Sequence, residues 1–182
     1  MIFSPFAENG PVLITPQVHS DQRGFFMETF RQNEFEEHCG KFTFVQDNHS
    51  KSVATVLRGL HYQLNHPQGK LIRVILGEVF DVAIDLRTYS PTFGQYFSAV
   101  INASKKQLFW VPPGFAHGFL VLSEEAEFLY KCTDYYDPSD EHCLLYNDKT
   151  INISWPKLDK PYITSPKDAL GLSFEKCPKF TE

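Results

Sequence analysis

Residues 79–86 read VFDVAIDL, and the order of apolar and polar side chains there decides the fold class. Phe80, Val82, Ile84 and Leu86 fall on one face of an extended chain; Val79, Asp81, Ala83 and Asp85 fall on the other. A period of two marks a strand, because successive Cβ atoms point to opposite faces. Similar short runs recur at 43–46, 55–63, 71–76, 95–101, 107–111, 118–122 and 127–133. HPQG, TYSPTFG, NASKK, PPG and SEEA separate them, and these compositions favour turns. The clearest helix candidate is RQNEFEEHCG at 31–40, which ends on Gly40, a C-terminal cap. Many short strands with little helix between them predict an all-β jelly roll or barrel rather than βαβ units.

No internal repeat or linker divides the chain, so residues 1–182 read as one domain. The Pro- and Lys-rich segment after about residue 155 is expected to mix loop with short helical turns and to pack on the barrel. Aromatics reach 15%, which suits strands and also suits stacking on a flat ligand. The net charge of -5 offers no overall attraction to nucleic acid or an anionic membrane, so an anionic small ligand needs a local basic cluster. MIFSPFAENG has no basic lead-in or long apolar run, and no stretch approaches roughly 18 consecutive apolar residues. Cys39, Cys132, Cys143 and Cys177 show no CxxC spacing and read as reduced thiols of a cytoplasmic protein.

The stretch VLRGLHYQ, residues 56–63, places Arg58 and His61 in an otherwise apolar strand. Strict alternation puts Gly59, His61 and Gln63 on one face and Arg58, Leu60 and Tyr62 on the other, unless Gly59 hosts a bulge. His61 reads either as a core histidine with a satisfied hydrogen bond or as a general base titrating near neutral pH. In PPGFAHGF, residues 112–119, His117 follows a turn and opens a strand. In EFLYKCTDYYDPSDE, residues 127–141, alternation groups Tyr130, Cys132, Asp134 and Tyr136. They read either as aromatic core beside an acidic turn, or as a proton donor, Tyr130, with a stacking platform, Tyr136. Arg23, Arg58, Lys70, Arg73 and Lys167 form a positive field for a diphosphate only if they meet in space.

Gly59 to Gln63 resembles the first metal-binding motif of the cupin jelly rolls, G-x-H-x-H, with Gln63 in place of the second histidine. Pro112 to His117 resembles the second, P-x-G-x-x-H. The resemblance implies a cupin-like β-barrel. His61 and His117 alone make a poor transition-metal site, so no metal is expected. DQRGFFMETF, FVQDNHSKS, VLRGLHYQ, QGKLIRVILGEVFDVAIDLR, SPTFGQY, PPGFAHGFLVLSE, AEFLYKCTDYY and ISWP together resemble the dTDP-4-dehydrorhamnose 3,5-epimerases, in order from about residue 3 to residue 170. That resemblance implies a cofactor-independent isomerase, a homodimer, acting on a thymidine-diphosphate 4-keto-6-deoxyhexose on the route to activated L-rhamnose. Carried onto matching positions, His61 is the base, Asp168 its carboxylate partner, Tyr130 the acid and Lys70 the enolate-stabilising cation. Arg58, His117, Lys167, Gln46, Asp47 and Asn48 resemble contacts to the diphosphate and sugar. Arg23 and Glu28 match nucleotide-binding positions reached across a dimer interface, Tyr136 the residue stacked on thymine, and Glu141 a neighbour in its loop. Three alternatives stay open on the sequence: a single-carbon epimerase, a metal-dependent cupin using His61 and His117, and a non-catalytic sugar-nucleotide binding module.

Overall fold

The computed structural model describes residues 1–181. In chain order its strands begin with β1 (Ile2–Pro5), β2 (Val12–Thr15), β3 (Val18–Asp21) and β4 (Gly24–Met27). Helix α1 (Gln32–Cys39) follows, then β5 (Gln46–Val53), β6 (Leu57–Gln63), β7 (Lys70–Leu76) and β8 (Glu78–Asp85). Next come β9 (Tyr96–Asn102), β10 (Leu108–Val111), β11 (Phe115–Val121), β12 (Glu125–Cys132), β13 (Glu141–Cys143) and the short helix α2 (Pro166–Ala169). One antiparallel sheet runs β1-β2-β10-β7-β12-β5 and another β13-β6-β11-β8-β9, while β3 and β4 form a separate ribbon. The architecture is the all-β jelly roll that the alternation predicts, in the cupin-like form that the resemblance implies, built as two facing sheets that are not hydrogen-bonded into one closed barrel. No helix among the described residues is long and apolar enough to cross a membrane.

The alternation of β8 sorts its side chains into two cores. Val79 and Ala83 join Ile72, Val74, Phe109 and Phe128 between the sheets. Val82, Ile84 and Leu86 turn to the other face, where Leu144, Ile151, Ile153, Cys177 and Phe180 cover them. Both faces are therefore buried, and each fully buried Leu, Ile or Phe stabilises the fold by roughly 1.5–3 kcal/mol. A third cluster lies outside the first sheet, where Phe35 of α1 packs edge-on to Trp110 with ring centroids 5.0 Å apart. Gly40 closes α1 as expected, with φ +92° and its N–H bonded to the Glu36 carbonyl.

Two local expectations change. The run at 43–46 is not a strand of its own: β5 starts only at Gln46, and Phe44 packs edge-on against Trp110 instead. The polar sequence QDNHSKSV nevertheless forms the edge strand β5, because β12 supplies an eight-residue antiparallel partner. Strand β6 is also irregular where simple alternation fails. His117 pairs with His61 and Phe119 with Arg58, so three steps along β6 match two along β11. The extra residue is a bulge that turns Arg58 and His61 toward the same space, resolving the conflict between their faces. Gly59 has φ +115°, and a Cβ there would lie 2.6 Å from the Gly118 Cα. A side chain on Gly118 would in turn lie 2.5 Å from the Arg58 carbonyl oxygen. Two glycines facing each other thus permit the close approach.

Candidate active site

The bulge opens into a cavity of 540 Å³ bounded by β6, β7, β11, β12 and the segment carrying α2. Arg58, His61, Lys70, His117, Tyr130, Lys167 and Asp168 all line it, although they are drawn from four strands and a helix far apart in the chain. On β7, β11 and β12 strand alternation selects the inward side chains: Lys70, Ile72 and Val74 point in from β7, while Leu71 belongs to the outer cluster. Phe119 and Phe128 give the cavity an apolar floor, their rings stacked with centroids 4.4 Å apart.

His61 Nε2 lies 2.6 Å from Asp168 Oδ1. Burial opposes the charge on Asp168, yet hydrogen bonds from His61, from the Ser165 hydroxyl and from the Gly59 N–H hold its carboxyl below the ordinary range. Asp168 is therefore a carboxylate that can only accept, so in the neutral imidazole Nε2 is the nitrogen that donates and Nδ1 the one with the lone pair. Ser165 is the N-cap of α2: its Oγ donates to Asp168 Oδ2 at 2.8 Å and accepts from the Asp168 N–H at 3.1 Å.

A second pair stands on the same rung, where His117 Nε2 meets Asp81 Oδ1 at 2.8 Å. Asp81 is fully buried, its Oδ2 has no hydrogen-bond partner among the described residues, and burial raises its pKa against the pull of His117. Lys70 is buried too, which lowers its pKa, and its Nζ lies 3.4 Å from the His61 carbonyl oxygen. Burial raises the pKa of Tyr130, so the phenol keeps its proton at neutral pH. Arg58 is anchored from behind, its Nε donating to Ser52 Oγ at 3.0 Å.

At the rim, Tyr136 donates from its hydroxyl to Glu141 at 2.7 Å, and Lys167 forms an ion pair with the same carboxylate. The hydrogen bond to Glu141 and burial push the Tyr136 phenol up to about 12. Burial would raise Glu141, but Lys167 and Tyr136 outweigh it and hold the carboxyl low. Glu141 Oε1 lies 3.8 Å from His61 Nδ1, beyond hydrogen-bond length. Gln46 meets this group through its Oε1, which accepts from the Tyr136 N–H at 2.9 Å.

Other expected residues stay outside the cavity. Asp47 and Asn48 border a separate hollow of 220 Å³; Asp47 pairs with Lys131 at 3.0 Å, and Asn48 Nδ2 contacts Cys132 Sγ at 3.5 Å. Arg23 stands on the exposed β3–β4 ribbon, paired with Asp21, and Glu28 pairs with Arg31 at 2.9 Å. Arg73 faces away from the cavity because it follows Leu71 on the outer face of β7. The basic cluster that does meet in space is thus Arg58, Lys70 and Lys167. Sequence reasoning gave no role to Asp81, Ser165 or Cys143. The signal for Asp81 was visible, a carboxylate inside the alternating apolar run at 79–86. Ser165 was legible only as a helix cap, and Cys143 carried no local signal.

The family model described as dTDP-4-dehydrorhamnose 3,5-epimerase matches residues 7–176. The enzyme of that name from Pseudomonas aeruginosa is 55% identical over 170 residues, covering 93% of this chain and 93% of its own length. The one from Neisseria gonorrhoeae is 53% identical over 92% of this chain, which spans about half, 51%, of that longer relative. The solved dTDP-6-deoxy-D-glucose-3,5-epimerase of Legionella pneumophila, in complex with dTDP-4-keto-L-rhamnose, superposes with a TM-score of 0.93 at 46% identity, covering 97% of this chain and 94% of that one. Together with a partly buried imidazole–carboxylate pair on a cupin-like frame, these matches show that the chain belongs to the dTDP-4-dehydrorhamnose 3,5-epimerase family.

Proposed function

We propose that the chain converts dTDP-4-dehydro-6-deoxy-D-glucose to dTDP-4-dehydro-L-rhamnose by inverting carbons 3 and 5, and that His61, Asp168, Tyr130 and Lys70 carry the chemistry. The observation that carries this reading is the 2.6 Å His61–Asp168 contact in a cavity shared with Tyr130 and Lys70. The 4-keto group acidifies the protons on carbons 3 and 5, because the electron pair left behind delocalises onto the ketone oxygen. His61 takes the proton on its free nitrogen, and the Asp168 carboxylate stabilises the imidazolium that forms. The Lys70 ammonium holds the enolate oxygen; burial weakens its charged form, and an oxyanion beside it restores that charge. Tyr130, kept protonated by burial, returns a proton to the opposite face of the ring and recovers its own from water. The chemistry needs no redox cofactor or metal.

Arg58, Lys167 and His117 are assigned to the diphosphate and sugar, with Lys167 exchanging Glu141 for phosphate as substrate enters. Gln46, Asp47 and Asn48 are assigned to the same ligand, and Tyr136 to stacking on the base beside Glu141. Arg23 and Glu28 are assigned to the cavity of a second copy, so the working unit is a homodimer. The exposed Phe25 and Phe26 of the ribbon, 57% and 72% accessible, support that reading as surface suited to burial by a partner.

The test is exchange in heavy water, followed by NMR of the sugar nucleotide. Solvent deuterium should replace the protons on both carbon 3 and carbon 5. Retention of both original protons would sink the proposal, and exchange at one carbon alone would make the chain a single-carbon epimerase.

A further inference from the structure

Cys143 has no part in the proposed chemistry, yet it stands directly opposite His61 on the β13–β6 rung. One imidazole nitrogen of His61, the Sγ of Cys143 and a carboxylate oxygen of Asp168 all lie within 4.8 Å of one another. Backbone pairing fixes the first two donors, and Ser165 fixes the third by capping α2. A tetrahedral ion bound by N, S and O at ordinary bond lengths separates its donors by about 3.3–3.6 Å. To reach that spacing the widest pair must close by about an ångström and the 2.6 Å His61–Asp168 contact must open by a similar amount, movements of the size that side-chain rotation supplies. His61 and Asp168 both line the cavity, so an ion has a way in and room for water as the fourth ligand.

The donor types define the ion. One imidazole, one thiolate and one carboxylate suit a borderline or soft divalent cation and disfavour Mg²⁺ and Ca²⁺, which prefer oxygen. Two anionic donors also match a double positive charge, and Glu141 lies close by to offset the repulsion from Lys167. This set differs from the His61–His117 pair of the cupin motifs, since the sulfur and carboxylate come from β13 and α2.

We propose that His61, Cys143 and Asp168 form an inhibitory site for a thiophilic divalent cation, Zn²⁺ or Cd²⁺. Binding releases the thiol proton to solvent and, with the ion on Nε2 beside Asp168, moves the imidazole hydrogen to Nδ1, so the nitrogen that the epimerisation uses as its base is no longer free. The ion is thus a reversible poison, and Cys143 makes the enzyme sensitive to it.

The experiment adds CdCl₂ to chelator-treated protein and follows the ultraviolet charge-transfer band of a Cd–thiolate bond. The same titration is read by heavy-water exchange of the sugar nucleotide. A one-thiolate band should rise as exchange falls, and excess EDTA should reverse both. Cys143→Ser should lose the band, keep basal exchange, and need at least about tenfold more Cd²⁺ for half inhibition. Cys39→Ser, changed on the far side of the fold, should behave like the wild type. Cys143→Ala serves as a second variant, and in the wild type the His61 ring-proton NMR signals should move on Cd²⁺ addition. A band that survives removal of Cys143, unmoved His61 signals, or equal inhibition of the wild type and the Cys143 variants would overturn the site. The band and the NMR shift need no substrate, so failure here is distinguishable from failure of the epimerase reading.

Discussion

His61 and His117 face each other across one rung of β6 and β11, each with its own carboxylate. The two contacts are similar in length, 2.6 Å to Asp168 and 2.8 Å to Asp81. Their surroundings differ sharply. Asp168, on the short helix α2 at the cavity edge, collects hydrogen bonds from His61, Ser165 and Gly59, and its carboxyl is held low. Asp81, in the middle of β8, has His117 and an orphaned oxygen, and its carboxyl is pushed up. The same two residue types therefore acquire opposite tendencies: burial raises the Asp81 carboxyl against the single donor it has, whereas three donors outweigh burial at Asp168. A well-supplied carboxylate stays charged and supports an imidazolium. A starved one resists charge, which suits His117 to hydrogen-bonding a ligand rather than to carrying a proton through each turnover.

The largest expected effect sharpens this contrast directly. His61→Asn should lower the rate of substrate deuteration by about 10²- to 10⁴-fold, the usual worth of a general base, while the melting temperature holds. His117→Asn should act mainly on KM, leaving kcat within about tenfold of the wild type. Equal kcat losses in the two variants would erase the distinction between the pairs.

The carboxylates offer a second comparison, through stability against pH. Asp168 is depressed below its ordinary 3.8, so its contribution is fully present above that value and is lost as pH falls through the lower folded pKa. Asp81 is raised above 3.8, so the folded state favours its protonated form, and stability declines as pH rises from 3.8 toward the higher folded pKa. Asp81→Asn should flatten that decline, whereas Asp168→Asn should lower stability at neutral pH and remove a loss confined to acid. Urea midpoints measured from acid to neutral pH would read both slopes. A parallel pH dependence in the two variants would contradict the opposite shifts.

The sequence carried the fold further than it carried the site. Alternation in 79–86 predicts not only a strand but the sorting of its side chains into two buried clusters, since the β pleat leaves no freedom in that choice. The polar strand β5 was invisible because its stability comes from pairing with β12, a term no local pattern contains. Family resemblance supplied His61, Asp168, Tyr130 and Lys70, and the fold brings them to one cavity. Strict alternation kept Arg58 off the His61 face, and the bulge at Gly59 named as its exception brings the two together: one extra residue flips every side chain on one side of it, and the facing Gly59 and Gly118 permit the close approach. Arg23 and Arg73 were grouped with the other cations by charge, yet they sit on faces that charge does not report.

The smallest effect asks how much of the asymmetry between the two pairs one hydroxyl supplies. Ser165 gives Asp168 a hydrogen bond of 2.8 Å, and among the described residues nothing comparable reaches the second oxygen of Asp81. Ser165→Ala removes that donor and the cap of a four-residue helix together. Loss of the cap alone should cost about 1 kcal/mol, visible as a small drop in melting temperature. If the hydroxyl also keeps Asp168 charged and aimed at His61, kcat should fall roughly tenfold, equivalent to about 1.4 kcal/mol, with KM little changed. The acid limb of the pH–rate profile should move upward as Asp168 becomes easier to protonate. Ser165→Thr, which keeps the hydroxyl, should restore both. A melting shift without a change in kcat or in that limb would reduce Ser165 to a helix cap, leaving His61 and Gly59 as sufficient support for the charged carboxylate.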